Sequence, residues 1–200
     1  YNTDGLGEVS ALKEVVGNLK EKKILQIGAG GAGNAIAYEL AKEGAHLIIA
    51  NRTIEKAYNL AKLIQNSFDL PKEPIWGNES IIPQFAPFVD IILNTSLKGQ
   101  KGRDENFSAL AETDGSNLEE SLELAYKIPK NVLFADIIFN PEETYFLRHG
   151  KETGHRTLNG KLMLVYQGAM ACEILYHEEL KKLGITQKDI FEIMKKEVFS

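Results

Sequence analysis

The chain has 200 residues, 44% of them hydrophobic and 26% charged, which suits one globular domain with an appendage and a substantial core. Its net charge of −5, with basic residues scattered singly or in pairs such as Lys181-Lys182 and Lys195-Lys196, argues against a nucleic-acid or polyanion partner. No apolar run approaches the ~18 residues that cross a bilayer, and the single cysteine, Cys172, leaves no disulfide framework, so a cytoplasmic protein without a membrane partner is expected.

Leu6, Val9, Leu12, Val15, Val16 and Leu19 recur at three- and four-residue spacing and predict a helix over 6–20. Lys23 to Ile27 reads as a short strand running into glycines. Residues 31–43 follow as a helix with Gly44 just past its end. Ala45 to Ala50 is apolar except at His46 and reads as a buried parallel strand. Asn51 or Thr53 can cap the next helix, over 54–66. A weak strand near Ile75 and a short helix precede a strand over Val89 to Leu93. Residues 98–117 are polar, without period, and are expected to form a mobile, solvated loop carrying Lys98, Lys101 and Arg103. A helix over 118–127, a strand over Asn131 to Ile138, a helix over 142–150 and a brief strand at Arg156 to Leu158 complete the alternation. Leu162, Val165, Ala169, Cys172, Tyr176 and Leu180 then trace one helical face, Gly184 interrupts it, and Thr186 caps a last helix.

Strand and helix alternate from residue 22 to about 158, which implies right-handed βαβ units. The predicted fold is α/β: a Rossmann doubly wound parallel sheet with flanking N- and C-terminal helices. The expected organisation is a linking helix over 1–20, a dinucleotide-binding domain over 21–160 and C-terminal helices over 161–200.

Gly28-Ala29-Gly30-Gly31-Ala32-Gly33 contains G-x-G-x-x-G, after a strand and opening a helix. Gly28 permits the tight turn, Gly30 lets backbone approach a pyrophosphate, and Gly33 lets helix and strand pack closely. The pyrophosphate would meet the free N–H groups of the helix start. NAD enzymes place an acid at the end of the second strand to bind the ribose hydroxyls. Here that position holds Asn51-Arg52-Thr53. An acid would repel a 2′-phosphate, whereas a guanidinium fork binds it, so NADP is the expected cofactor. His46, His149, His155 and His177 share no ligand-like spacing, and no metal site is expected.

Several separated segments together resemble the shikimate dehydrogenase family, shikimate and quinate dehydrogenases. Asn2-Thr3-Asp4-Gly5-x-Gly7 looks like its N-T-D-x-x-G segment. The glycine turn and Asn51-Arg52-Thr53 match its cofactor motifs, and Asn94-Thr95-Ser96 its N-x-T-S loop. Asp136 to Pro141 with Thr144 resembles D-x-x-Y-x-P-x-x-T, and Asn159-Gly160-x-x-Met163-Leu164-x-x-Gln167-Gly168-Ala169 its last motif. The resemblance implies reversible hydride transfer between NADPH and 3-dehydroshikimate, giving shikimate. It implies Asp4 as the catalytic carboxylate that also binds substrate, Gln167 as a substrate hydrogen-bonding group, and Ile137, Gly160 and Met163 beside the nicotinamide.

The sequence also departs from the family pattern. Phe139 stands where the family has tyrosine, at a substrate-binding position, which opens a quinate or other polyol-acid dehydrogenase as an alternative. The family's catalytic lysine and carboxylate-binding serines lie in an N-terminal substrate domain, and no lysine here sits in a matching motif. The chain opens at Tyr1 and is expected to belong to a longer protein, contributing mainly the cofactor half. The missing N-terminal domain or a homo-oligomer would then cover its C-terminal helices, and the isolated chain would turn over poorly. A further alternative is a non-catalytic NADP-binding regulatory module.

Overall fold

A computed structural model describes residues 2–200, leaving only Tyr1 outside the described residues. In chain order the elements are α1 (Asp4–Val16), β1 (Lys23–Ile27), α2 (Gly31–Lys42), β2 (His46–Ala50), α3 (Ile54–Ser67), β3 (Ile75–Gly77), α4 (Ile82–Phe85) between two 3-10 turns, β4 (Ile91–Asn94), α5 (Asn117–Lys127), β5 (Leu133–Asp136), α6 (Tyr145–Glu152), β6 (Arg156–Leu158), α7 (Lys161–Leu175), α8 (His177–Leu183) and α9 (Gln187–Phe199).

The six strands form one parallel sheet in the order β3-β2-β1-β4-β5-β6. The order reverses between β1 and β4, where Leu25 pairs with Ile48 on one side and Ile92 on the other. Side chains alternate across the sheet and build two cores. Ile24, Leu47, Ile49, Ile91, Leu93 and Leu133 pack on one face with α1, α2, α3 and α7. Leu25, Ile27, Ile48, Ile92 and Phe134 pack on the other with α4, α5 and α6. Both faces are therefore covered, as a parallel sheet requires.

Three expectations change. The first helix ends at Val16 rather than near residue 20, because Gly17 adopts φ of 75° and caps Lys13; Leu19 is nonetheless fully buried in the first core. The long C-terminal helix breaks at Tyr176, whose backbone leaves helical geometry. Tyr176 and Leu175 are exposed, so the periodic face beyond Ala169 gains little burial that would hold it straight. The 98–117 segment is irregular but partly interior: Lys98, Ser108, Ala109 and Leu110 are all buried.

Of the C-terminal helices only α7 is buried within this chain; α8 and α9 bury no residue. α7 buries Leu162, Met163, Val165 and Ala169, packing on α1 and α9. Gly7 of α1 lies so close to α7 that a Cβ there would meet Gln167 and the Met163 carbonyl. On α9, Phe191 packs tilted against Tyr166 with ring centroids 4.5 Å apart, and Lys195 pairs with Glu14 at 3.0 Å. Thr186 and Asp189 cap α9 reciprocally. Leu183, Ile193 and Phe199 remain exposed. No helix among the described residues is long and apolar enough to cross a membrane.

Candidate functional site

The C-terminal ends of the strands surround a cleft of about 560 Å³ at the point where strand order reverses, the usual ligand position in open parallel sheets. The β1–α2 turn forms its floor. Gly28 has φ of 114°, and a Cβ there would strike Ser96 and Thr95. Gly33 is packed as tightly, with Thr95 Oγ1 and the Gly28 carbonyl inside 3 Å of its would-be Cβ. Gly30 and Gly31 differ: a Cβ at either would meet nothing within 4 Å among the described residues. Two glycines of the turn thus answer to the fold, and two leave space open above a helix N-terminus.

The neighbouring loops are tied to this turn. Thr95 donates to Gly28 O at 2.9 Å, and Asn51 Oδ1 accepts from Ala29 N at 3.0 Å while Asn51 Nδ2 donates to Thr53 O. Gln26, missed in the sequence reading, points its amide under the turn and donates to the carbonyls of Gly28 and Gly33. An uncharged amide inside a buried strand has no periodic signature; only its place two residues before Gly28 could have marked it. Arg52, Thr53 and Lys56 line the cleft at the end of β2 and are exposed. None of the ion pairs among the described residues involves Arg52.

Of the residues singled out from sequence, Gly28 to Ala32, Asn51 to Thr53, Thr95, Ser96, Ile137 and Phe139 line the cleft. Asn94 does not. It is fully buried, donating to Asp136 Oδ1 and to the Lys98 carbonyl and accepting from Ser96. Gly33 lies beneath the turn. Gly160 packs on the backbone of Ile137 and Ile138 and so fixes the start of α7 against the end of β5. Met163 is buried in the first core, and its carbonyl faces Gly7. Asp4 opens α1 beside Thr3, whose hydroxyl donates to Gln167 Oε1 at 3.3 Å. The N-T-D-G and N-G-x-x-M-L-x-x-Q segments are therefore neighbours, joined through Gly160 to the Ile137–Phe139 end of the cleft. Among the described residues, Asp4 forms no ion pair.

Lys98 corrects the solvated-loop expectation. Its Nζ lies 2.9 Å from Glu79 Oε2 and 2.6 Å from Ala111 O, with both side chains under a tenth exposed. Lys101 and Arg103 do sit in the exposed part of the loop, and Lys101 borders the cleft.

Two buried carboxyls lie behind the site. Asp136 accepts from Ile138 N, Thr144 Oγ1 and Asn94 Nδ2; burial outweighs these bonds and pushes its carboxyl up to about 7. The Asp136–Thr144 bond explains the spacing of that motif, since Thr144 also caps α6 through Leu147 N. Glu8 on α1 is buried with Oε1 unpartnered among the described residues, and burial, then the charge of Asp136, push it up to about 8. The unfolded carboxyls ionise near their ordinary values while the folded ones stay protonated. Stability should therefore fall as pH rises from about 4.5 to about 8 and level off above that. Glu8→Gln should raise the thermal midpoint at pH 8 and flatten the slope, an effect on the order of a few kcal/mol. Circular-dichroism melts across this range check it; an unchanged slope in the variant would discount Glu8.

A family model described as shikimate / quinate 5-dehydrogenase matches residues 10–72, which hold the glycine turn and the Arg52 turn. The shikimate dehydrogenase (NADP(+)) of Methanococcus maripaludis is 40% identical over the whole of this chain. The chain is similar to proteins of the shikimate/quinate 5-dehydrogenase family. A second relative, the shikimate dehydrogenase (NADP(+)) of Methanocaldococcus jannaschii, is 39% identical over 87% of the chain. The chain spans 63% and 56% of the lengths of these two relatives. Among solved structures of the family, a shikimate dehydrogenase in complex with NADP+ superposes with a TM-score of 0.75 at 32% identity, covering 99% of this chain and 62% of that one. The shikimate 5-dehydrogenase of Listeria monocytogenes, in complex with shikimate and NAD, superposes with a TM-score of 0.76 at 27% identity, covering 96% of this chain and 62% of that one.

Proposed function

We propose that this chain is the cofactor half of an NADP-dependent shikimate dehydrogenase, acting in the cytoplasm on 3-dehydroshikimate and shikimate. The observation that carries the cofactor assignment is Arg52, exposed at the end of β2 beside a glycine floor left open at Gly30 and Gly31. The residues fit the dinucleotide. Backbone N–H groups at the start of α2 suit the pyrophosphate, and Arg52, Thr53 and Lys56 suit the 2′-phosphate. Since structural neighbours include NAD complexes, the preference for NADP rests on this chain's own Arg52.

Bound NADPH supplies hydride to the ring carbonyl carbon of the substrate. Ile137 and Phe139 border the nicotinamide end of the cleft, and Gly160 holds that border against α7. Asp4 accepts a hydrogen bond from a substrate hydroxyl, and Gln167, linked to Thr3, offers an amide to the same substrate. The proton for the new alcohol and the grip on the substrate carboxylate come from outside these 200 residues, from further length of the polypeptide or from a second copy. The shares of 56–63% of the relatives' lengths support this division.

Phe139 favours a second reading. It is half-exposed at the cleft and lacks a hydroxyl for the substrate, which leaves room for quinate or a related polyol acid. Oxidation of NADPH by the complete protein with 3-dehydroshikimate, compared with reduction of NADP+ by shikimate and by quinate, tests both. Turnover with the shikimate pair is expected. Turnover only with quinate favours the second reading, and none with any of them at millimolar substrate points to a non-catalytic NADP-binding module.

A further inference from the structure

A buried ion pair walls the cleft on its β3 side. Glu79 stands two residues beyond β3 and Lys98 four residues beyond β4, and both border the cleft. Lys98 Nζ donates to Glu79 Oε2 at 2.9 Å and to Ala111 O at 2.6 Å. Burying such a pair carries a large desolvation cost, which apolar side chains of similar volume would avoid. Only one carboxylate oxygen is used. Glu79 Oε1 has no partner among the described residues, yet it is not sealed in the interior. Glu79 stands where the cleft meets an adjacent cavity of about 360 Å³.

With the pyrophosphate over Gly30 and the 2′-phosphate at Arg52, the adenosine runs from β1 toward β2. The next strand in the sheet is β3, which leads to Glu79. Adenine presents an exocyclic amine, a donor, and a carboxylate in an ion pair is an acceptor only. We propose that Glu79 accepts a hydrogen bond from the adenine amine through Oε1, with Lys98 as the positioning residue that holds the carboxylate in place. The inference rests on the dinucleotide reading of the cleft. Lys98 also balances the Glu79 charge, so the 2′-phosphate at Arg52 does not face a net negative wall. An acid at this position therefore coexists with an NADP preference, unlike an acid at the end of β2.

The test is a binding titration of NADPH against its hypoxanthine counterpart, in which a carbonyl acceptor replaces the amine. The wild-type chain is expected to favour NADPH about tenfold, the scale of one hydrogen bond to a charged group. Glu79→Gln alone leaves Lys98 buried without a counter-charge, so the informative variant is Glu79→Gln with Lys98→Met, which removes both charges at similar volume. Its amide can donate to the hypoxanthine carbonyl, and the affinity ratio should approach one while NADPH still binds. Glu79→Asp, which keeps the charge but shortens the reach by one methylene, should likewise lose most of the preference. Equal wild-type affinities would overturn the adenine inference and leave the dinucleotide reading intact. A preference unchanged in both variants would overturn the assignment to Glu79. Binding of neither nucleotide would overturn both readings.

Discussion

Exchanging Arg52 for aspartate is expected to weaken NADPH binding on the order of 100-fold and to make NADH the better ligand. The guanidinium offers two parallel, charge-assisted hydrogen bonds to a 2′-phosphate, each worth about 1.5–3 kcal/mol. The aspartate replaces that attraction with repulsion and gives the ribose hydroxyls of NADH an acceptor. Because Arg52 is exposed and carries no ion pair among the described residues, removing it leaves no buried partner behind, and the fold should be untouched. Exposure also means screening, so the wild-type advantage for NADPH should shrink with added salt while NADH affinity barely moves. Isothermal titrations at two ionic strengths measure this. NADPH affinity that survives the exchange would remove Arg52 from the site.

The second large effect separates glycines that serve the ligand from those that serve the fold. Gly30→Val should fold normally, because its Cβ enters open space and its φ of −89° is ordinary for any residue. The branched side chain would occupy the space where the pyrophosphate approaches, and dinucleotide affinity should drop by roughly tenfold or more. Gly33→Ala should do the reverse to the fold. Its Cβ would lie 2.7 Å from Thr95 Oγ1 and 2.8 Å from the Gly28 carbonyl, and the latter is backbone that cannot swing aside. A loss of about 1–3 kcal/mol is expected, or a thermal midpoint lower by roughly 3–10 °C. Gly160→Ala should be at least as damaging, because the new atom would collide with the Ile137 carbonyl. Thermal melts and nucleotide titrations on the same samples distinguish the two classes. A destabilised Gly30→Val that still binds would reverse the assignment.

Much of this architecture was legible in the chain. Apolar runs at Lys23–Ile27 and His46–Ala50, punctuated by glycines, announce buried parallel strands, and the β1–α2 turn follows from G-x-G-x-x-G in that context. Local chemistry misled where a tertiary partner decided the outcome. Lys98 reads as a solvated loop residue because its partners, Glu79 and Ala111, lie 19 and 13 positions away. Gly17 ends α1 early although Leu19 keeps the helical spacing, since a residue can reach the core from a turn as well as from a helix. The role of Asp136 was hidden for a related reason. A strand-end acid looks like a site residue, whereas its contacts with Asn94, Ile138 and Thr144 make it the post that aligns β4, β5 and α6. Glu8 carried no signal, because its burial follows from how closely Gly5 and Gly7 let α1 approach α2 and α7.

The most direct test of the central claim is a titration of this chain with NADPH and, separately, with NADH, followed by nicotinamide fluorescence. The account predicts saturable binding of one NADPH per chain, tighter than NADH by about tenfold or more at low salt. Equal or tighter binding of NADH, or binding of neither, would contradict it.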